Sequence, residues 1–216
     1  MVKTIILVDI FLLFVIAVVA VALSSFFFNQ GVPIWASLAL GAFITYIFLI
    51  LISGALHWLL RMVVGTNSGY LPSWKVPIWG IMAALHYCLF FALQLILPRE
   101  YIPTFILRIF GLKIGSGSVS MAQLLDPELI AIGKNVYLEP GVIVSGHIMA
   151  KPDRRVYRAP VTIEDGVRIG KNAVIAPGVH IGANASILPN TFVITNETLE
   201  GGQLYGGNPA IKILNA

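Results

Sequence analysis

Long apolar runs fill the first half of the chain, and short apolar residues at a fixed spacing fill the second half. The first run extends from Thr4 to Phe28 and the second from Trp35 to Leu60. Each exceeds the roughly 20 residues that a helix needs to cross the hydrocarbon layer of a membrane. Since only Asn29 to Pro33 separates them, they predict a hairpin of two transmembrane helices. A cleaved signal peptide is the alternative for the first run, but its apolar core is longer than the usual 7–15 residues.

A third apolar stretch, from Val76 to Leu97, is shorter and contains His86 and Cys88, which we interpret as helix-packing residues. The sequence REYIPTFILRIFGLK follows it, and its arginines and aromatic residues are typical of a helix lying in the membrane interface. His57 and Arg61 share one face near the end of the second run. We interpret this pair as side chains that extend toward the interface, with a role in acceptor binding as the alternative.

The basic residues at the ends of the runs predict the orientation. Lys3, Arg61 and Lys75 lie on one side of the membrane if the first two runs form a hairpin, and basic loops face the cytoplasm. A full third crossing would carry the basic residues of 99–113 to the opposite side. A re-entrant or steeply tilted third segment keeps them on the cytoplasmic side, and we favour this over a full third crossing.

An aliphatic residue recurs every six positions in the second half. From Ile163 the chain reads IEDGVR, IGKNAV, IAPGVH, IGANAS, ILPNTF and VITNET, and Ile132, Leu138 and Val144 keep the same phase upstream. This period is neither that of a helix nor that of an alternating strand. It predicts a parallel β-helix, in which three units of strand and turn close one coil. The period ends after Thr198, and the following residues are expected to cover the open edge of the last coil.

Composition agrees with a membrane protein, since 57% of the 216 residues are hydrophobic and 11% are charged, whereas soluble domains carry about 25% charged residues. The net charge of +4 comes without a block of Lys and Arg, so nucleic acid is not a predicted partner. Cys88 is the single cysteine, which excludes an internal disulfide.

The repeat fails between Val144 and Pro160, where the chain reads VSGHIMAKPDRRVYRAP. His147 stands at the start of this break. Histidine suits a general base because its ordinary pKa is near 6.5, and from the repeat alone a corner position facing solvent is the alternative. Arg154 and Arg155 are candidates to hold a phosphate, or they are a solvated pair in a loop. His180, in an ordinary unit, is interpreted as a surface residue.

The second half resembles the hexapeptide-repeat acyltransferases, close to the galactoside, maltose and colanic-acid O-acetyltransferases. The resemblance covers roughly residues 114–213 and is carried by SGH at 145–147, YRAPVTI at 157–163, RIGKNAVIAPGV at 168–179 and GNPA at 207–210. It implies a left-handed β-helix, a homotrimer with active sites between subunits, and acetyl-CoA or another acyl-CoA as the donor. It also implies that the break is a loop leaving the helix from Lys151 to Ala159.

The resemblance assigns roles to residues of this chain. His147 is implied as the catalytic base, and Arg154, Arg155 and Tyr157 of the loop as acceptor-binding residues. The implied contacts of the cofactor are Arg168, Lys171, Pro189, Ile194, Thr195 and Lys212. The Thr-Lys pair of the family is replaced here by Ile194-Thr195, so Lys171 or Lys212 is expected to meet the cofactor phosphate instead. Backbone amides at Gly170 and Lys171 are candidate donors to the oxyanion.

Two other classes of function are alternatives to this one. A metal enzyme of the γ-carbonic-anhydrase type needs three histidines around its metal, and the second half holds only His147 and His180, so no metal is predicted. A non-catalytic scaffold, in which a trimeric β-helix assembles the membrane helices, is the alternative function.

The sequence therefore predicts a membrane-anchoring helical domain at residues 1–112 and a β-helix acyltransferase domain at residues 113–216. The expected function is transfer of an acetyl group from acetyl-CoA to a hydroxyl of a lipid-linked or envelope-associated acceptor. The expected location is the cell membrane, with several crossings and the β-helix on the cytoplasmic face.

Overall fold

The computed structural model describes residues 2–84, 104–149 and 155–213, with side chains from residue 14 onward. Helix α1 (Val2–Asn29) and helix α2 (Ile34–Val64) form the expected hairpin around a turn in which Gly31 has a left-handed φ of 85°. Residues 76–84 form helix α3 as far as it is described, and α4 is Thr104–Ile109. His86, Cys88 and the rest of the predicted third segment lie outside the described residues.

The contact between α1 and α2 is made by small and polar residues. A Cβ atom added at Gly41 would lie 2.3 Å from Ser24 Oγ and 2.8 Å from the Ala20 carbonyl oxygen, so the two backbones are close there. Ser24 donates to the Ala20 carbonyl at 2.7 Å, and Thr45 donates to the Gly41 carbonyl at 2.7 Å. The large apolar side chains of the hairpin point outward instead, among them Phe14, Phe26, Trp35, Phe43 and Phe48.

Within the described residues, Ile34–Val64 is long and apolar enough to cross a membrane. The part of α1 with described side chains, Phe14–Asn29, is apolar but shorter. The prediction of a crossing is thus supported for α2 by length and composition, and for α1 it stays a prediction.

The second half is a parallel β-solenoid, as predicted. Its successive coils cover residues 113–125, 130–145, 161–175, 180–193 and 198–206, and their strands stack in parallel. The strands are β1 (Gly69–Tyr70), β2 (Lys113–Ile114), β3 (Val119–Ser120), β4 (Gln123–Leu125), β5 (Ile130–Ile132), β6 (Tyr137–Leu138), β7 (Ile143–Ser145), β8 (His147–Met149), β9 (Val156–Arg158), β10 (Val161–Ile163), β11 (Arg168–Ile169), β12 (Val174–Ile175), β13 (His180–Ile181), β14 (Ser186–Ile187), β15 (Phe192–Val193), β16 (Thr198–Leu199), β17 (Leu204–Gly206) and β18 (Ile211–Lys212).

The aliphatic residue of each unit points into the solenoid. Ile163 pairs with Ile132 on one side and Ile181 on the other, and Ile181 pairs with Leu199. The columns of the other two faces are equally buried, with Leu138, Ile169 and Ile187 on one and Val144, Ile175 and Val193 on the other. These columns are the core, and at about 25 cal/mol per Å² their burial is the main stabilising term of this half.

At the corners of the solenoid, an asparagine of one coil lies against a glycine of the neighbouring coil. Asn184 has a left-handed φ of 59°, and the glycine below it, Gly166, has one of 72°. A Cβ atom at Gly166 would lie 2.3 Å from Asn184 Oδ1. Glycine is therefore required here for both its φ and its lack of a side chain, since the next coil fills the space.

The break in the repeat is a hairpin that leaves the solenoid between β7 and β10. Strands β8 and β9 pair antiparallel, and β1, which follows α2, adds to the outer edge of β9. The chain thus leaves the solenoid at His147 itself, earlier than the predicted loop of Lys151 to Ala159. We call the pair of strands β8 and β9 the excursion hairpin. Because β1 pairs with it, the hairpin joins the helical half to the solenoid.

The end of the chain differs from expectation in one respect. The coil does not stop at Thr198, because β17 still pairs parallel with β14. Only β18 reverses, pairing antiparallel with β17 and covering its edge. The sequence QLYGGNPA hides this strand, since its glycines and proline mask the six-residue pattern.

The helices rest on the first coils of the solenoid. Ile50 of α2, together with Ile106, Leu107 and Phe110 around α4, belongs to the same buried cluster as the solenoid core. A Cβ atom at Gly54 would lie 2.4 Å from Ile109 Cγ2, so α2 and α4 touch closely. The helical half and the solenoid therefore share one core.

The stacked corners make a prediction about stability. Gly166→Ala should destabilise the solenoid more than Gly202→Ala, although both glycines have left-handed φ values, of 72° and 67°. Both substitutions incur about 1–2 kcal/mol for a left-handed alanine. Gly166→Ala adds the overlap with Asn184, at roughly 1–3 kcal/mol, whereas nothing lies within 4 Å of a Cβ atom at Gly202. Urea unfolding of the detergent-solubilised protein measures both, and equal losses would contradict the stacking argument.

Candidate active site

His147 is the first residue of the excursion hairpin, and a glycine beside it sets its position. A Cβ atom at Gly146 would lie 2.8 Å from Leu129 Cβ and 3.2 Å from Asp126 Cβ. Only a residue without a side chain lets β7 end this close to the segment that contains Asp126. The Gly-His pair thus places the imidazole next to an aspartate that lies 21 positions earlier.

Asp126 holds the imidazole of His147 from one side. It has a left-handed φ of 63° and precedes the 3-10 turn Pro127–Leu129, and its side chain is only 6% exposed. Nδ1 of His147 donates to Asp126 Oδ2, and Trp79 Nε1 of α3 donates to Asp126 Oδ1 at 3.2 Å. The Trp79 ring also packs edge-on against the imidazole, with centroids 4.8 Å apart. Both carboxylate oxygens therefore have a donor.

The charge state of Asp126 fixes the tautomer of His147. Burial raises the pKa of Asp126, but the hydrogen bond and charge of His147, the charge of Arg158 and the Trp79 hydrogen bond outweigh it, and the pKa lies below its ordinary value. An ionised carboxylate only accepts hydrogen bonds, so the proton of a neutral His147 must be on Nδ1. Its Nε2 then carries a lone pair, which is the state that a general base needs.

A second charged cluster lies beside the first and is more deeply buried. Arg158 of β9 donates to Glu128 Oε1 and also to the Gly65 carbonyl at 3.0 Å. His57 Nε2 of α2 lies 3.5 Å from Glu128 Oε2, and its ring packs edge-on against Phe110. The His57 side chain is buried, with only 3% of it exposed, and it faces a carboxylate of the solenoid. The interpretation of His57 as a side chain that extends toward the membrane interface is therefore wrong.

The two clusters share one small pocket. Helices α2 and α3 supply one wall and the solenoid supplies the other. We call it the junction pocket, and its lining residues are His57, Trp79, Met82, Ala83, Leu125, Asp126, Glu128 and His147. The pocket combines a histidine base, two carboxylates and an apolar surface.

The predicted acceptor residues do not line this pocket. Arg155 is exposed and stacks over the Tyr70 ring, with 4.4 Å between its guanidinium carbon and the ring centroid. The Tyr157 hydroxyl donates to Asn196 Oδ1 at 2.9 Å, and its ring packs against Tyr70. Both residues connect the excursion hairpin to its surroundings. Arg154 lies outside the described residues, and the acceptor-binding role of the three stays a prediction.

The predicted cofactor residues fall into two groups on the solenoid. Lys171 and Pro189 lie at one corner, where the Lys171 carbonyl accepts from the Asn190 amide at 2.9 Å, and Arg168 is exposed on the strand before it. Ile194 and Thr195 follow β15, at the corner column from which the excursion hairpin leaves. Lys212 lies on β18 and contacts Glu200 Oε2 at 3.0 Å. None of the six lines the junction pocket.

The Gly170 and Lys171 amides are not free oxyanion donors. The Gly170 amide donates to the Ile187 carbonyl at 2.8 Å, and the Lys171 amide donates to a Glu139 carboxylate oxygen at 2.8 Å. That expectation is wrong because stacked coils use these amides to hold each other.

His180 is a surface residue, as predicted. Its Nε2 lies 2.9 Å from Glu164 Oε1, and both side chains are more than 40% exposed. The groups of three or more His, Cys, Asp or Glu that hold metal ions do not occur within the described residues.

The tautomer of His147 can be tested without an activity assay. The chain has four histidines, so nitrogen-labelled imidazole rings can be observed selectively by NMR in lipid nanodiscs. We expect the neutral His147 ring to carry its proton on Nδ1. In Asp126→Asn the amide can donate to Nδ1, so the proton should move to Nε2.

Asp165→Asn is the matched control for this measurement. Asp165 accepts from the Lys134 amide at 2.7 Å on an exposed corner away from the pocket, and its replacement should leave the His147 signals unchanged. A proton on Nε2 of His147 in the wild-type protein would contradict the assignment.

A comparison with known protein families identifies the type of repeat. Residues 160–195 match the family model described as bacterial transferase hexapeptide (six repeats). No curated protein sequence matches the chain.

Similar solved structures include three acetyltransferases. A hexapeptide-repeat acetyltransferase from Vibrio cholerae is 28% identical, with a TM-score of 0.44 over 49% of this chain and 62% of that one. A maltose O-acetyltransferase from Clostridium difficile is 24% identical, with a TM-score of 0.42 over 54% of this chain and 76% of that one. A galactoside acetyltransferase in complex with coenzyme A is 21% identical, with a TM-score of 0.43 over 51% of this chain and 68% of that one.

This chain thus spans less than two thirds of the length of the Vibrio cholerae protein. The six-residue period and the family match fall on the same strands, from β10 to β15. The solenoid of this chain therefore carries the bacterial transferase hexapeptide repeat.

Proposed function

We propose that this chain is a membrane-anchored acyltransferase that moves an acetyl group from acetyl-CoA to a hydroxyl of a lipid-linked or envelope-associated acceptor. The observation that carries the proposal is the pair of His147 and the buried, ionised Asp126 at the mouth of the excursion hairpin. It stands on a solenoid whose repeat is that of bacterial transferases.

Direct transfer requires one base that first accepts a proton and later returns it. His147 Nε2 takes the proton of the acceptor hydroxyl while its oxygen attacks the thioester carbonyl carbon, giving a tetrahedral intermediate. The carbon–sulfur bond then breaks, and the imidazolium returns the proton to the leaving sulfur, so that the products are an acetyl ester and free CoA thiol. Cys88, the single cysteine, lies in the apolar first half, which disfavours a route through a cysteine acyl-enzyme.

Asp126 supports this cycle through charge. When His147 accepts the proton, the adjacent carboxylate stabilises the imidazolium, and the Nδ1 hydrogen bond keeps the ring oriented. Trp79 supports the pair on the side of α3, since its ring packs edge-on against the imidazole and its Nε1 satisfies the remaining carboxylate oxygen. A less polar surrounding strengthens each of these interactions.

The packing of the hairpin supports a membrane anchor. Small and polar residues such as Gly41, Ser24 and Thr45 lie between α1 and α2, and large apolar residues face outward. This distribution is the reverse of that in a water-soluble protein and is typical of helices packed in lipid. We place the hairpin across the cell membrane and the solenoid on the cytoplasmic face, where acetyl-CoA is available.

The remaining parts of the proposal follow the family resemblance. A homotrimer would bring the solenoid faces of neighbouring subunits together, with acyl-CoA between them. Arg168, Lys171, Pro189, Ile194, Thr195 and Lys212 are proposed as its contacts, and no metal takes part. All six residues lie on the outer surface of the solenoid, where a second subunit could approach.

Replacement of His147 tests the base. His147→Gln should lower acetyl transfer by roughly 10²–10⁴-fold, the usual contribution of a general base, while leaving assembly unchanged. The measurement is release of CoA thiol from acetyl-CoA, with octyl glucoside as the hydroxyl acceptor and the protein in nanodiscs. His180→Gln is the control, because it also removes a histidine paired with a carboxylate, but on the solenoid surface. Near-full turnover in His147→Gln would remove His147 as the base, and absence of turnover in the wild-type protein would favour the non-catalytic scaffold.

The two candidate phosphate lysines make a separate prediction. Lys171→Ala and Lys212→Ala should each raise the Michaelis constant for acetyl-CoA, because a charge-assisted hydrogen bond contributes roughly 1.5–3 kcal/mol. Lys212 first has to release Glu200, so its effect is expected to be the smaller one. Lys134→Ala, another exposed lysine of a solenoid corner, is the control. An unchanged Michaelis constant in the double variant would remove both lysines from the cofactor site.

A further inference from the structure

The junction pocket holds a carboxylate oxygen that the reaction at His147 does not use. Glu128 Oε1 is occupied by Arg158, but Oε2 accepts no hydrogen bond from the described part of the chain. The side chain is only 2% exposed. A buried carboxylate oxygen without a donor is costly, and such groups in native structures call for an explanation.

The surroundings of this oxygen point to a ligand. Glu128 and Asp126 line the same pocket and are separated by Pro127 alone. Glu128 and the imidazole of His147 therefore both border the junction pocket. His57 Nε2 lies 3.5 Å from Oε2, longer than an ordinary hydrogen bond of 2.7–3.2 Å. The guanidinium of Arg158, itself 1% exposed, fixes the carboxylate in place.

The shape and polarity of the pocket narrow the class of ligand. Met82, Ala83 and Leu125 give it an apolar surface, and helix α2, which forms one wall, is the candidate membrane span. Strand β8 exposes Ile148 and Met149 directly after His147, and α3 exposes Ile81. The pocket and its surroundings thus combine apolar side chains with hydrogen-bond acceptors.

We propose that the junction pocket binds the acceptor as a lipid-borne polyol, with its reactive hydroxyl at His147 and a neighbouring hydroxyl donating to Glu128 Oε2. Glu128 is then the residue that selects a head group with a second hydroxyl, and Arg158 is the residue that positions it. This inference rests on the proposed function and adds the acceptor subsite, which lies on the helix side of His147 and not on the loop of Arg154, Arg155 and Tyr157.

The test compares two single-chain probes in nanodiscs. Octylglycerol has two adjacent hydroxyls, and its deoxy analogue octyloxypropanol keeps the terminal hydroxyl and lacks the middle one. Binding is followed by the imidazole NMR signals of His57 and His147, which both line the pocket. The wild-type protein should bind octylglycerol about 10–100-fold more tightly than the analogue, the effect of one hydrogen bond to a charged group.

Glu128→Gln and Glu128→Asp should bind both probes with similar affinity, since the first removes the charge and the second withdraws the oxygen from the pocket. Glu164→Gln alters a glutamate–histidine pair on the solenoid surface and should keep the preference. The His147–Asp126 signals of each variant report whether the pocket has kept its structure.

The outcomes separate this inference from the proposed function. Equal affinity of the wild-type protein for the two probes, no binding of either, or a preference that survives in folded Glu128 variants overturns the subsite. A preference that depends on Glu128, in a protein that never transfers acetyl groups to octylglycerol, leaves the subsite standing and removes the acyltransferase.

Discussion

The buried ion pair between Arg158 and Glu128 is the interaction on which the site depends. Arg158 comes from the excursion hairpin and Glu128 from a turn of the solenoid, and Arg158 also donates to the carbonyl of Gly65 at the end of α2. One guanidinium thus joins three parts of the chain that are distant in sequence. Removing one partner of such a pair leaves an uncompensated buried charge, at a cost of roughly 3–5 kcal/mol. The rigid element that the pair creates carries His147 at one end of β8 and β9.

Helix packing is the second constraint, and it explains why α2 can approach the solenoid. Gly54 lies against Ile109, and His57, one turn later on the same buried face, reaches Glu128. A larger residue at position 54 would push the helix away from α4 and withdraw His57 from the pocket. The small residues of α2 therefore serve two contacts, with α1 at Gly41 and with the solenoid side at Gly54.

The sequence predicts the solenoid and the approximate position of the break, because both follow from the six-residue period of consecutive units along the chain. It also places His147 at the break and the first two helices in a hairpin. It does not predict Asp126, Glu128 or Trp79, because their roles arise from contacts between segments far apart in the chain. The available signal was weak: the units between Ile114 and Ile132 lose the repeat, and the acidic residues of LLDPEL stand there. Arg158 belongs to the motif YRAPVTI, but the sequence assigns this arginine no role.

His57 shows why composition alone misplaces a residue of this kind. A histidine near the end of an apolar helix ordinarily extends to the interface, since transfer of a polar group into lipid is unfavourable. Here a carboxylate of the solenoid reaches the same depth as the helix end, so the local surroundings are neither lipid nor water. The solenoid thus changes the environment of His57, and Trp79 of the helical half in turn packs against the imidazole of His147. Catalysis by a histidine–aspartate pair gains from such packing because electrostatic stabilisation weakens as the local dielectric rises. A solenoid without the helices would present the same two residues on an open surface, where that stabilisation is smallest. The helical half therefore lines the junction pocket together with the solenoid.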